Sequence, residues 1–415
     1  MDCGARLVVG DGHLDQSARA APPLTLAPAT DPAVVATAVC RASPSKAQLT
    51  MKLAVVITAR PSYARVQTAL EALIARGIEC DVICAGSALL ERYGRVADVI
   101  RSHGFAVTEC WSTFEGATLL TSVLETGALC ASLGAHLATG QYDGVVAIAD
   151  RHEVLAVAQA ASYQHIPLIH LQGGECSGSI DNRVRHAITQ LADVHLVATA
   201  RARMVVYGQT GSEAIHVTGC PSVDLALRAL DLPDVTVDEL GGSGFPIDLD
   251  RSFVIWLQHP VTTEMDLAER HAIATATALE PLGTQVLAFW PGEEAGAEVF
   301  SKIIRLHQHQ WHTVRNLPPD RFLNLLTRCD CLVGNSSVGI RECSALGVPV
   351  VNIGTRQYGR ERGPNVLDVP YQADAIKAAI DRQSRGPFYE PSVLYGDGHA
   401  GERIADVMTQ WKDSC

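Results

Sequence analysis

GVVAIADRHEVLAVAQAASYQHIPLIHLQGGECSGSIDNRVRHAITQLADVHLVAT, residues 144–199, decides the fold. It contains three short apolar runs, GVVAIAD (144–150), PLIHLQ (167–172) and VHLVAT (194–199), separated by stretches of helical character. The runs are continuously apolar rather than alternating, as a strand buried on both faces requires, and strands joined through helices run parallel. The same unit recurs on either side. Upstream, LAVVIT (53–58) leads into a helical stretch from Pro61 to about Ala75, and CDVICAG (80–86) into another over 88–103. Downstream the period fades near 226–250, in a segment rich in Gly, Pro and Asp. It returns as SFVIWL (252–257), TQVLAFW (284–290), CDCLVG (329–334) and VPVVNIG (348–354), and 399–412 closes the chain as an amphipathic helix. The expectation is an α/β protein with two doubly wound Rossmann-like domains, 51–228 and 251–385, joined by a linker at 229–250 and followed by a C-terminal segment, 386–415.

Composition agrees with that architecture. The 415 residues suffice for two domains, and 47% hydrophobic against 19% charged residues excludes global disorder. A net charge of −12 argues against a nucleic-acid or membrane-surface binder. No apolar run approaches the roughly 18–20 residues of a bilayer span. The expected location is the cytoplasm, with no nucleic-acid or membrane partner. The twelve cysteines include no C-x-x-C pair and read as buried thiols in a reducing compartment, so no metal site is expected. Residues 1–50, rich in Ala, Pro and Thr without a sustained period, read as a disordered extension or an upstream-start artefact. Met51-Lys52 stands directly before the first strand.

In doubly wound sheets ligands bind at the carboxyl ends of the strands, so the residues following each strand are the candidates for chemistry. After the first strand come Arg60 and Arg65, suited to an anion at a helix start. After GVVAIA come Asp150, Arg151, His152 and Glu153. In GGECSGSIDNRVRH, Gly173, Gly174 and Gly178 permit close backbone approach, while Glu175, Asp181, Arg185 and His186 gather ionisable groups around a helix start. Arg185 lies four residues after Asp181, a spacing that lets the two pair along one helix face. His259 ends a strand, with Pro260 after it. LVGNSSVGIRE (332–342) reads as a phosphate cradle, with a helix starting at Ser336 and Ser337 and Glu342 about a turn and a half inside it, placed to accept from ribose hydroxyls. Neither a Walker lysine nor a G-x-G-x-x-G accompanies it, which tells against an ATPase or a dehydrogenase. Arg356, Arg360 and Arg362 form a cation cluster in the loop beyond the next strand.

Taken in order, GGECSGSIDNRVRHAITQLADVHLV, HPVTTE, GNSSVGIRE and GTRQYGRERGPNV resemble the hydrolysing UDP-N-acetylglucosamine 2-epimerases of sialic-acid-type biosynthesis, from about residue 52 to 411. The resemblance implies a glycosyltransferase-B-like fold whose C-terminal helix crosses back to the first domain. It implies elimination of UDP from UDP-N-acetylglucosamine through a 2-acetamidoglucal, then hydration to N-acetylmannosamine, with no metal or redox cofactor and a homodimer or homotetramer. By position, Asp150 and Asp181 match the acid/base carboxylates, Arg185 the arginine beside them and His259 the active-site histidine. Ser336, Ser337, Glu342 and Arg356 match the UDP-binding set, and Arg60 and Arg65 the basic groups after the first strand. Where the family often reads H-I-E-G-G, this chain has Gln172, which takes no proton. Then either Asp150 and Asp181 suffice, or Glu175 substitutes, or the substrate differs. Other readings are a non-hydrolysing 2-epimerase, a hydrolysing 2-epimerase for a UDP- or GDP-2,4-diacetamido-trideoxy hexose, a glycosyltransferase-B-type transferase, and a nucleotide-sugar-binding protein.

Overall fold

The structure is a computed structural model that describes residues 51–114, 118–292 and 294–414. The reading of 1–50 lies outside the described residues. Two seven-stranded sheets form the frame. The first contains β1 (Lys52–Ile57), β2 (Glu79–Ala85), β3 (Val107–Cys110), β4 (Gly144–Ile148), β5 (Leu168–Leu171), β6 (Val194–Val197) and β7 (Ile215–Val217). Their order is β3-β2-β1-β4-β5-β6-β7, with every pairing parallel. The second contains β8 (Ser243–Gly244), β9 (Phe253–Leu257), β10 (Gln285–Phe289), β11 (His312–Val314), β12 (Cys331–Gly334), β13 (Val350–Ile353) and β14 (Val366–Val369). It runs β14-β13-β12-β9-β10-β11-β8, parallel except for the β11–β8 edge pair.

The continuous apolar runs follow from burial on both faces. Along β1, Leu53, Val55 and Ile57 enter one core and Ala54 and Val56 the other. Along β9, Phe253 and Ile255 face one side and Val254 and Trp256 the other. Strand order reverses between β1 and β4 in the first sheet and between β9 and β12 in the second. At such switch points the loops after neighbouring strands diverge to opposite faces and leave a crevice.

The C-terminal helix, Ala400–Ser414, packs on helix Gln67–Ala75 of the first sheet. Ile404, Ala405 and Met408 join that sheet's core, and Arg76 bonds Glu402 and Asp406 at 2.7 Å each. Buried Asp224 accepts from the amides of Ala400 and Gly401, at 3.0 and 2.8 Å, and so fixes where this helix begins.

Three local expectations are corrected. The helix expected from Pro61 to Ala75 is two, Arg60–Ala64 and Gln67–Ala75, broken at Arg65 and Val66. The stretch 88–103 holds 3-10 turns, Gly86–Leu89 and Glu91–Tyr93, before a short helix, Val96–Ser102, because left-handed Gly94 interrupts it. The expected linker, 229–250, is itself structured: Val237–Leu240 is a helical turn with a Thr236–Glu239 capping box, β8 pairs with β11, and Leu240, Ile247 and Leu249 are buried against Phe253.

Candidate active site

A cavity of about 420 Å³ lies between the carboxyl ends of the two sheets. From the first sheet it is lined by Arg60, Arg65, Asp150 and Asp181, and from the second by His259, Ser336, Ser337, Glu342 and Arg356. Loops after β1 and β4 and after β9 and β12 contribute to it, so both switch points open into one space.

Asp150 is placed by an unusual backbone. Ala149 before it, and Gln172 at the equivalent point after β5, have φ of 65° and 67°. Non-glycine residues in that left-handed region store on the order of 1–3 kcal/mol each, and such strain persists only where surrounding contacts enforce it. Buried His170 supplies one such contact, since its Nε2 lies 2.9 Å from the Ala149 carbonyl and its Nδ1 3.1 Å from Thr189 Oγ1. Burial pushes the imidazole down to about 4, so the ring is neutral and Nε2–H donates to that carbonyl.

Arg185 bonds Asp150, which corrects the expected pairing along one helix with Asp181. The buried guanidinium also reaches the Glu175 carbonyl at 2.6 Å and Ser177 Oγ at 3.3 Å. Burial alone raises the Asp150 carboxyl, but Arg185, Arg65 and Arg360 outweigh it and hold the group well below the usual carboxylate range. Asp181 is shifted the other way. Burial and the neighbouring Asp150 charge raise it, while Ser179 donates to it at 2.8 Å.

Gln172, Glu175 and Arg185 are buried behind Asp150. Gln172 Oε1 accepts from Arg341 Nη1 at 2.9 Å and its Nε2 donates to Cys220 Sγ at 2.7 Å, so its amide is committed to these partners. Glu175 lies between two second-sheet arginines, 3.4 Å from Arg341 and 3.0 Å from Arg360. Burial would raise its carboxyl, but Arg360 and Arg341 bring it below its ordinary value. The loops themselves touch: the Gly178 amide donates to the Arg356 carbonyl at 3.1 Å, and a Cβ on Gly178 would stand 1.9 Å from the Thr355 carbonyl oxygen.

The second-sheet side is built from small polar groups. Gly334 has φ 144°, and a Cβ there would lie 2.0 Å from the Leu257 carbonyl oxygen. Asn335 holds the His259 backbone from both sides, accepting from its N–H at 2.7 Å and donating to its carbonyl at 2.8 Å. The Asn335 carbonyl accepts from Arg356 at 3.1 Å. Ser337 Oγ accepts from Arg341 at 2.9 Å and from Arg65 at 3.3 Å. The helix expected at the two serines is instead a 3-10 turn, Ser337–Gly339, followed by a five-residue helix, Glu342–Leu346. Glu342 therefore opens that helix, and its Oε2 is buried without a hydrogen bond. With so short a helix, what faces the cavity here is hydroxyls and arginines in place of a long dipole.

Arg60 donates to Asn316 at 3.1 Å and to the Leu317 carbonyl at 3.4 Å. Arg65, lowered to about 10 by burial and by Arg341, remains a cation at neutral pH. Of the expected arginine cluster, Arg356 lines the cavity, Arg360 turns to Glu175, and Arg362 pairs with exposed Asp368 at 3.1 Å. His186 leaves the cluster to contact Gln209 at 2.6 Å. Glu125, His152 and Glu153 bring metal-capable atoms within 4.8 Å of one another, but Arg151 already bonds Glu153 and His152 bridges the two carboxylates.

Sequence reasoning did not single out Arg341, Glu294 or His170. Glu294 follows β10, and its position after a strand was the available signal. Arg341 gave none, because its first-sheet partners, Glu175 and Gln172, lie 166 and 169 residues away. Chemically, the cavity sets one carboxyl lowered and one raised from its ordinary range against an array of hydroxyl and guanidinium groups.

A model of the UDP-N-acetylglucosamine 2-epimerase family matches residues 71–409. The chain is 31% identical over 270 residues to a UDP-N,N'-diacetylbacillosamine 2-epimerase (hydrolyzing) of Legionella pneumophila, covering 64% of this chain and 70% of that one. It is 28% identical over 339 residues to a UDP-N-acetylglucosamine 2-epimerase of Neisseria meningitidis serogroup B, covering 80% and 87%. The fold matches that of the Methanocaldococcus jannaschii UDP-GlcNAc 2-epimerase crystallised with UDP-GlcNAc and UDP, with TM-score 0.71, 17% identity and coverage of 87% and 100%. Among the described residues no helix is long and apolar enough to cross a membrane.

Proposed function

Because the chain belongs to the UDP-N-acetylglucosamine 2-epimerase family, we propose that it is a hydrolysing nucleotide-sugar 2-epimerase acting on UDP-N-acetylglucosamine or a close analogue. The observation that carries this reading is the placement of Asp150 and Asp181, shifted in opposite directions, across one cavity from His259, Ser336, Ser337 and Arg356. The diphosphate lies against the second-sheet groups and Arg65, with Glu342 accepting from the ribose. The sugar then reaches the two carboxylates.

In the first step a carboxylate takes the C2 proton, the C–H electron pair forms the C1=C2 bond, and the C1–O bond breaks with its pair passing to the diphosphate. Water then adds, with OH going to C1 and a proton to the opposite face of C2, giving the free 2-epimer and UDP. Asp181 is the proton carrier, because its raised carboxyl exchanges protons nearer neutral pH. Asp150 remains an anion and holds Arg185. Gln172 takes no part in proton transfer, its amide being bound to Arg341 and Cys220.

A second substrate reading is supported by the Legionella pneumophila relative named for diacetylbacillosamine chemistry and by an apolar wall of Leu119, Ile180 and Val184 in the cavity. A 2,4-diacetamido-trideoxy hexose, with a methyl at C5 and an acetamido group at C4, would present apolar surface to that wall. Anion-exchange chromatography of each UDP-sugar after incubation tests both readings. The expected products are UDP and an unlinked sugar. Accumulation of a UDP-linked 2-epimer would assign the chain to non-hydrolysing chemistry instead.

A further inference from the structure

We propose that Glu294 is a positioning residue that holds His259 and Arg356 side by side against the departing diphosphate. The inference rests on the elimination reading above. Glu294 lies beyond β10, lines the cavity, and places one oxygen 3.4 Å from His259 Nδ1 and the other 3.7 Å from Arg356 Nη2. A carboxylate within an anion site repels the ligand, so its presence there calls for a compensating role. Each of its oxygens faces a donor on a different loop, His259 after β9 and Arg356 after β13.

Burial would raise the Glu294 carboxyl, but His259, Arg356 and Arg151 hold it well below the carboxylate range, so it only accepts hydrogen bonds. His259 Nδ1 must then carry the hydrogen of that contact, which leaves Nε2 to meet a ligand. Asn335 fixes the His259 backbone while Glu294 fixes the ring. As the C1–O bond breaks, its electron pair raises the charge on the β-phosphate. Donors already in place gain most at that moment, and interactions stronger in the transition state than in the ground state accelerate the step.

The test compares the full-length wild type with Glu294→Ala, Glu294→Gln and Glu294→Asp, reading kcat and KM for UDP-N-acetylglucosamine, the UDP Kd, and the histidine 15N spectrum of the UDP complex. Loss of one preorganised donor typically costs about 100-fold, so Glu294→Ala lowers kcat by about that factor. Its UDP affinity stays near the wild-type value, Glu294→Asp recovers much of the loss, and the Nδ1–H signature of His259 is lost in Glu294→Ala alone among Ala and Asp variants. An unchanged kcat with tighter UDP binding would overturn the proposal, because Glu294 would then be only a repulsive charge. Parallel losses in kcat, UDP affinity and melting temperature would overturn it in favour of a structural role. If the wild type releases no UDP from the sugar, the elimination reading fails separately. The 15N spectra then decide Glu294, and identical spectra for wild type and Glu294→Ala would reject its hold on His259.

Discussion

The two sides of the cavity differ in construction. On the first sheet, carboxylates are balanced by buried arginines, with Asp150 on Arg185 and Glu175 between Arg341 and Arg360. On the second, a clamped backbone, two serine hydroxyls and Arg356 face the same space, with the Asn335 amide fixing His259. On the proposed function, desolvated carboxyls shifted in opposite directions on one side serve proton transfer, and the hydroxyls and cations on the other serve binding. The comparison teaches that damage to the first-sheet carboxylates should fall on turnover and stability, and damage to the second-sheet hydroxyls on affinity, with Glu294 the second-sheet exception that acts on turnover.

The largest expected effect is on turnover. Asp181→Asn should lower kcat by about a thousandfold, the range of a lost general acid or base, while UDP binding by calorimetry stays close to wild type. A kcat near wild type would remove Asp181 from the reaction.

Stability should separate the two carboxylates. Asp150→Asn leaves buried Arg185 without its counter-charge and should cost about 3–5 kcal/mol in denaturant unfolding. The sign follows from linkage. The depressed Asp150 carboxyl contributes stability that is present above its unfolded value of about 3.9 and is lost as pH falls through the lower folded value. Asp181, raised in the fold, opposes folding when ionised, so Asp181→Asn should melt above wild type at pH 7. That advantage should vanish as pH falls below about 4, where wild-type Asp181 is protonated in both states. Melting curves of both variants from pH 3 to 8 check the two directions together.

On the second sheet, Ser336→Ala and Ser337→Ala should each weaken UDP binding by about tenfold, the value of a hydrogen bond to a charged group, and change kcat by less than about threefold. Ser337→Ala should be the more damaging, since that hydroxyl also holds Arg65 and Arg341. The smallest effect is expected of Gln172→Glu. A base restored at that position would raise kcat, whereas a side chain committed to Arg341 and Cys220 should leave turnover within about threefold. A tenfold gain measured in steady-state kinetics would place the base at position 172.

Much of the frame was legible because interior parallel strands leave continuous apolar runs, as in β1, β4 and β9. Strands β3, β7, β11 and β14 carry no such signal. They are short and lie toward the sheet margins, and β14 has only partly buried or exposed residues. In the site, position after a strand pointed to Asp150, His259 and Ser336, because doubly wound sheets gather such residues at one edge. Side-chain partnerships were less accessible. Helical spacing suggested Asp181 for Arg185, while the fold brings Asp150 from 35 residues away. Arg341 and Gln172, 169 residues apart, meet only when the two sheets face each other.

The central claim is that this cavity removes the C2 proton and releases the sugar from UDP. Proton NMR of the purified protein with UDP-N-acetylglucosamine in deuterated water tests it directly. The account predicts UDP together with free N-acetylmannosamine carrying deuterium at C2. Intact UDP-N-acetylglucosamine, or UDP released with a sugar still protonated at C2, would contradict it.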